Sequence, residues 1–404
     1  MKQINTLLGI AALCGPLAVL AYAQFDSAAE HQAIAYNASK PTDAIARLQQ
    51  KIDTREVTLE FDPQHGYLPS LLRTLDVPTS SQGLVFSKTS FQAARIGPWA
   101  PRALYFNDDV YIGEVQGSSM LEIASVDPKL GAVFYTLDQE ARERPTFQRQ
   151  GAICLQCHDS SSATGGVPGL LFRSVSTDRA GSVLGVAGDG ITTDRTPLEQ
   201  RWGGWYVTGT TGAGPHMGNV NVGQFNPSRL LTPHSDVVAL MVFAHQARVH
   251  NLITSAGYSA RISGFNDRTR GAAEQVVQAL LFVREAPLSG PIKGTSGFAR
   301  EFAARGPRDR QGRTLHELDL KRRMFKYRLS YLIYSEGFDG LPSSVRDYVY
   351  GRLGEVLSGD DQSATFSDLM PEERRAILEI LTDTKPDFVS SLGSSLPSSL
   401  TTNH

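Results

Sequence analysis

The sequence predicts an α+β fold: a small antiparallel β region, then a mainly helical middle, then C-terminal helices. Three observations predict it. Short runs of β-branched and aromatic residues fill residues 84–137, with turn signals between them. Beyond residue 235 apolar residues recur at helical spacing behind a capping pair, Ser235-Asp236. Between these lies a stretch full of Gly and aromatic residues, 201–226, which makes ordered loop or short strands rather than a long helix.

The chain has 404 residues, room for two domains or one large one. Hydrophobic content of 41% and charged content of 20% fit an ordinary globular protein. The formal charge of −2 supplies no basic field for nucleic acid, and no polybasic run recommends a membrane surface.

Residues 1–23 read as a secretory signal. Lys2 gives the positive start, residues 7–20 are apolar, and Ala21-Tyr22-Ala23 is a small-x-small cleavage site. No later stretch is apolar enough to cross a bilayer. An exported, periplasmic or otherwise secreted soluble product follows.

The N-terminal region is 24–144. Pro41 and residues 44–52 suggest one short peripheral helix. In the β-rich part, 84–137, strands are expected at 84–86, 103–106, 110–115, 121–123 and 132–137. The turns between them are Asn107-Asp108-Asp109, Gln116-Gly117 and residues 127–131. This spacing suggests a sheet or meander that forms one wall of a ligand pocket, or a domain beside it.

Cys154-Leu155-Gln156-Cys157-His158 then reads C-x-x-C-H, the spacing for covalent attachment of c-type haem. Two thiols one short turn apart add to the two vinyl groups, and the adjacent imidazole is held under the iron. Cys14 is the one other cysteine and lies in the signal, so the mature chain keeps only the motif pair. A thioredoxin-like pair wants a βαβ setting, and none is visible. A zinc site needs further ligands at short spacing, and the next histidine is His216.

At these five residues the chain resembles the c-type cytochromes. The resemblance implies one covalent haem c held by Cys154 and Cys157, His158 as proximal iron ligand, and electron transfer. It implies a cytochrome c-like haem-binding region over 145–260, and the β-rich part departs from a small, nearly all-helical cytochrome. Outside the motif the chain resembles only uncharacterised secreted proteins with a single haem site, which adds no activity.

The opposite axial position decides what such a haem does. Met217 is the first candidate, in a loop 59 residues after His158. His216 beside it and His245 on the helix after Asp236 are alternatives. His250 projects from another side of that helix, and His65, His316 and His404 have no supporting context. Arg149, Arg173, Arg201 and Trp202 are candidates for holding the haem propionates. Residues 201–226 are expected to form the other wall of the pocket.

The helix capped at Asp236 is expected to stop at Gly257, with Val238, Met241, Val242, His245, Val249 and Leu252 on one apolar face. The C-terminal region, 261–385, is expected to hold helices at 270–284, 315–336, 345–357 and 371–383. Residues 386–404 are Ser-rich and expected to be disordered.

Three functions compete. The first is a monohaem electron carrier with an unidentified redox partner protein. The second is a haem enzyme, peroxidase- or oxygenase-like, with an open distal site. The third is a haem-based sensor or binding subunit. No Ser-His-Asp or paired-carboxylate constellation stands out of the sequence.

Overall fold

A six-stranded antiparallel sheet divides the core into two layers. The computed structural model describes residues 27–392, apart from 187, 213 and 220–225. The expected signal at 1–23 lies outside them. The strands are β1 (Gly83–Val85), β2 (Arg102–Phe106), β3 (Val110–Glu114), β4 (Met120–Asp127), β5 (Gly131–Asp138) and β6 (Phe147–Gln150), paired in chain order as a meander. The sequence shows the first five. β6 is missed because Phe147-Gln148-Arg149-Gln150 carries one apolar residue.

Local chemistry makes the turns. Asn107 Oδ1 accepts from the backbone N–H groups of Asp109 and Val110, and Asp127 Oδ1 from those of Lys129 and Leu130. Gly131 closes the second turn at φ +76°, where a side chain is strained.

Successive side chains point to opposite faces. Ala103, Tyr105, Ile112, Ile123, Val133, Tyr135 and Leu137 pack against the N-terminal layer, which holds α1 (Ala44–Asp53) and α2 (Leu68–Thr74). Asp43 caps α1 by accepting from Ile45 and Ala46, and its other oxygen accepts from the Tyr135 hydroxyl at 2.6 Å. Leu104, Phe106, Tyr111, Val126, Ala132 and Phe134 face the other way, toward α4 (Val237–Ser263).

Directly after β6 comes α3 (Ala152–His158), which carries the motif. Residues 160–236 are largely irregular. They hold one short pair, β7 (Arg173–Ser174) with β8 (Gly190–Ile191), and the strand β9 (Thr210–Thr211), which pairs with the later β10 (Ile292–Lys293). The expected mainly helical character of 145–260 is therefore confined to α3 and α4, apart from short 3-10 turns.

Asp236 caps α4 as expected, but the helix runs through Gly257 and ends at Gly264, φ +71°. From Val237 to Ala247 it is buried on every side, not along one face. It anchors the C-terminal layer of α5 (Asp267–Leu280), α6 (Phe298–Ala303), α7 (Glu336–Asp339), α8 (Ser343–Ser358), α9 (Pro371–Thr384) and α10 (Pro386–Leu392).

Two C-terminal expectations change. Residues 315–336 do not form a helix. Leu320 sits at φ +56°, and Ser330 and Ser335 each cap a short turn instead. The expected disordered tail begins with α10, whose Phe388 is buried. The rest, from 393, lies outside the described residues.

One buried acid makes a prediction. Burial pushes the Glu285 carboxyl up to about 7, while Oε1 accepts from the Met324 N–H at 2.9 Å. The folded state thus binds the proton more tightly than the unfolded chain. That stabilisation is complete below the ordinary carboxylate pKa and is lost as pH rises through about 7. Glu285→Gln keeps the acceptor without the charge. Urea unfolding at pH 8 should show it more stable than wild type by about 1 kcal/mol, with the gain gone at pH 5.

Candidate functional site

The sheet face that looks toward α4 is the floor of an open-mouthed cavity of about 160 Å³. The register builds that floor. Leu104 pairs with Gly113, Gly113 with Glu122, and Glu122 with Thr136 in one cross-strand row. Tyr111, Ala124 and Phe134 form the next. The far wall is Leu170, Leu171 and Phe243 of α4, and α3 closes one side with Ile153, Cys154, Cys157 and His158.

All three motif side chains therefore open into one cavity. Both cysteines are free thiols, Cys157 at the exposed mouth and Cys154 half-buried. Burial pushes the Cys154 thiol up to about 11, and the nearby Glu122 carboxylate adds to it, so the sulfur is protonated at neutral pH.

His158 is held in one orientation. Its Nδ1 lies 2.8 Å from the Gly169 carbonyl oxygen, and the Gly169 N–H donates back to the His158 carbonyl at 2.9 Å. A ring whose Nδ1–H donates to a carbonyl leaves Nε2 with its lone pair free, the usual arrangement of a metal-ligating histidine. Burial also lowers the imidazole pKa, against the Gly169 hydrogen bond, so the ring is neutral. Phe134 packs beside it, ring centroids 4.5 Å apart.

The anchor of that carbonyl comes from α4. Asn251 Oδ1 accepts from the Leu170 N–H at 2.8 Å, and its Nδ2 donates to the Leu170 carbonyl at 2.9 Å. A Cβ on Gly169 would meet Asn251 Oδ1 at 2.5 Å. Asn251→Ala leaves both backbone groups of buried Leu170 unpaired. The expected loss is about 2 kcal/mol or more, read as a lower urea midpoint at unchanged slope.

A charged pair lies on the floor of this cavity. Arg102 Nη2 donates to Glu122 Oε2 at 2.5 Å, and Glu122 Oε1 accepts from Ser90 Oγ and Gln92 Nε2, each at 2.8 Å. The guanidinium lies over the missing side chain of Gly113, where a Cβ would come within 2.7 Å of Nη2. Sequence reasoning missed Arg102, Glu122 and the role of Gly113. The period-2 pattern puts Arg102 and Glu122 on the same face as Leu104 and Phe134, and that face was the available signal.

The other expected site residues lie elsewhere. Met217 does not line the cavity. Its sulfur is 3.6 Å from Ser174 Oγ, and its backbone N–H donates to the Arg201 carbonyl. His216 packs edge-on to Trp202. His245 is sealed in the core, with Nε2 2.8 Å from Ser330 Oγ and its ring stacked on Phe282. His250 is buried too, its Nε2 2.8 Å from the Asp108 carbonyl oxygen. Arg149 donates to the carbonyls of Tyr36 and Ser39, and Arg201 to those of Asp194 and Thr196. Arg173 is exposed on β7, and Trp202 is fully buried. None of these lines the cavity, so residues 201–226 are not its other wall, as far as they are described. Trp205 instead stacks on Phe172 behind that wall, centroids 4.4 Å apart.

Asp194, His245 and Ser330 do stand in line, but all three are fully buried, and Asp194 Oδ1 is 3.8 Å from His245 Nδ1, beyond a hydrogen bond. No substrate reaches them.

Among the described residues no group of three or more His, Cys, Asp or Glu side chains is placed to hold a metal ion. Among them, too, no helix is long and apolar enough to cross a membrane. No family model matches the chain, and neither a curated protein nor a solved structure is significantly similar to it.

Proposed function

We propose that the chain is a monohaem c-type redox protein. Cys154 and Cys157 carry the haem by thioether bonds, and His158 Nε2 is its proximal iron ligand. One observation carries this reading: both thiols and a carbonyl-oriented, neutral imidazole from one short helix open into the same cavity. The cavity's make-up fits a flat apolar group. Leu104, Phe134, Leu170, Leu171 and Phe243 supply its walls, while Phe91 and Ile153 stand 56% and 55% exposed at its rim. Large apolar side chains exposed around a cavity are surface waiting for a partner.

Bound haem supplies a one-electron couple at its iron. The chain's residues do the rest. His158, oriented through the Gly169 carbonyl and Asn251, would hold the iron by its free Nε2. The apolar walls exclude water. The exposed Cys157 end leaves an edge open to a redox partner, so electron transfer is the role. Export to the periplasm, where haem c is attached, agrees with the signal-like residues 1–23 and belongs to the same proposal.

A second reading, a haem enzyme or sensor with an accessible sixth position, is favoured by the Arg102–Glu122 pair. Of the described residues lining the cavity, His158 is the one histidine and none is methionine. The discriminating experiment is the reduced spectrum of the mature protein with and without carbon monoxide. A spectrum that ignores the gas supports the closed carrier, and ready binding supports the open site.

A further inference from the structure

We propose that the mature protein docks on an anionic lipid bilayer through two adjoining loops, residues 88–100 and 176–186, with Trp99 and Leu184 entering the headgroup layer. This surface is independent of the haem reading.

Three observations carry it. The first is exposure. Trp99 is 65% exposed, more than any other large apolar side chain among the described residues, whereas Trp202 and Trp205 are buried. Leu184 is 57% exposed, and Val183 and Val186 on the same loop stand in solvent too. Exposed apolar groups gathered in one region mark a surface that something covers.

The second is construction. A Cβ at Gly97 would meet the Trp99 ring at 3.1 Å and the Ala180 carbonyl oxygen at 3.4 Å, so Trp99 and the tip of the second loop flank one point. The Lys88 N–H donates to the Gly181 carbonyl at 2.9 Å and ties the loops together. Asp178 Oδ1 accepts from the N–H groups of Ala180 and Ser182, each at 2.8 Å, and Thr177 pairs with Val183. The second loop is thus a closed hairpin that holds its apolar side chains outward.

The third is charge. Lys88, Arg95 and Arg179 lie on these loops against one acid, Asp178, in a chain whose formal charge is −2. No run of bases marks them in the sequence, and the fold assembles them. Cations beside Trp and Leu suit an anionic bilayer: Trp sits at headgroup level, and each base near the surface is attracted to the lipid charge. A protein contact centres instead on side chains seated in packed pockets, and here the apolar groups stand on protruding loops.

The test is flotation with vesicles of phosphatidylcholine, with and without phosphatidylglycerol. The chain is used without residues 1–23, because that apolar stretch would bind lipid itself, and the described residues begin after it. Wild type should float with the phosphatidylglycerol vesicles and lose binding as salt rises. Lys88→Gln with Arg179→Gln should weaken binding about 10-fold or more. Trp99→Ser with Leu184→Ser should weaken it about 10- to 100-fold. None of the four side chains is buried, so both variants should keep the wild-type urea midpoint. The proposal is overturned if wild type stays with the buffer, floats equally without phosphatidylglycerol, or is matched by either double variant. A wild type that ignores lipid but dimerises in sedimentation, with the dimer lost in Trp99→Ser, would make the patch a contact between copies instead. Protein without haem gives the same readout, so failure here and failure of the haem reading are distinguishable.

Discussion

Replacing both Cys154 and Cys157 by alanine is expected to abolish the proposed covalent haem attachment, while the polypeptide folds as before. The effect is all-or-none because no other cysteine remains beyond residue 23. The fold tolerates it because Cys157 is exposed and Cys154 only partly buried, so neither fills a core space that alanine would empty. Exposed substitutions of this kind usually change stability by about 0.5 kcal/mol or less. Each single variant keeps one thiol at the cavity and is expected to retain part of the haem. A haem-stained denaturing gel reads the attachment, and urea unfolding of the apo forms shows that the fold is not what was lost. Haem surviving denaturation in the double variant would contradict the assignment.

The largest effect on stability is expected at Asp194. This carboxylate is fully buried, and Arg248 Nη1 reaches both its oxygens at 3.1 Å. Burial alone would raise its pKa, but His245 and the Arg248 guanidinium outweigh burial and hold it well below the usual carboxylate range. Removing one partner of a buried pair leaves the other charge without compensation, which costs about 3–5 kcal/mol. Asp194→Ala should therefore lower the urea midpoint at pH 7 by that equivalent. The pH dependence has a fixed sign. The folded pKa is depressed, so the contribution is present above the ordinary carboxylate pKa and fades as pH falls through the acid range toward the folded value. The gap between wild type and variant should narrow steadily below pH 4. A gap that stays constant into acid would show that the loss is one of packing rather than charge.

Much of the fold was legible because its signals are local. The runs around Tyr105, Ile112, Ile123 and Phe134 alternate in and out of a sheet, and Asn107, Gly117 and Asp127 mark its turns. Asp236 announced α4 for the same reason. Where long-range packing decides, the reading fails. Gly257 looked like a stop, yet α4 continues because its N-terminal turns are enclosed on all sides. Residues 315–336 have helical composition, but Leu320 takes a positive φ, Ser330 and Ser335 each start a short turn, and Arg323 and Arg328 pair with the distant Glu373. The motif pointed to Cys154, Cys157 and His158 by their spacing, and the structure brings all three to one cavity. The opposite side of the cavity was not legible. Met217, His216 and His245 are the right residue types for iron, but which side chains share the cavity with His158 depends on strand register. That register places Arg102 and Glu122 on its floor, and nothing adjacent to them in sequence says so.

The central claim is tested most directly by acidified organic extraction of the wild-type protein after maturation with the haem c machinery. The account predicts that the haem absorption stays with the protein through extraction and denaturation, with the pyridine spectrum of a haem whose vinyl groups are both saturated. Haem that leaves with the solvent, or a mature protein that carries none, would contradict it.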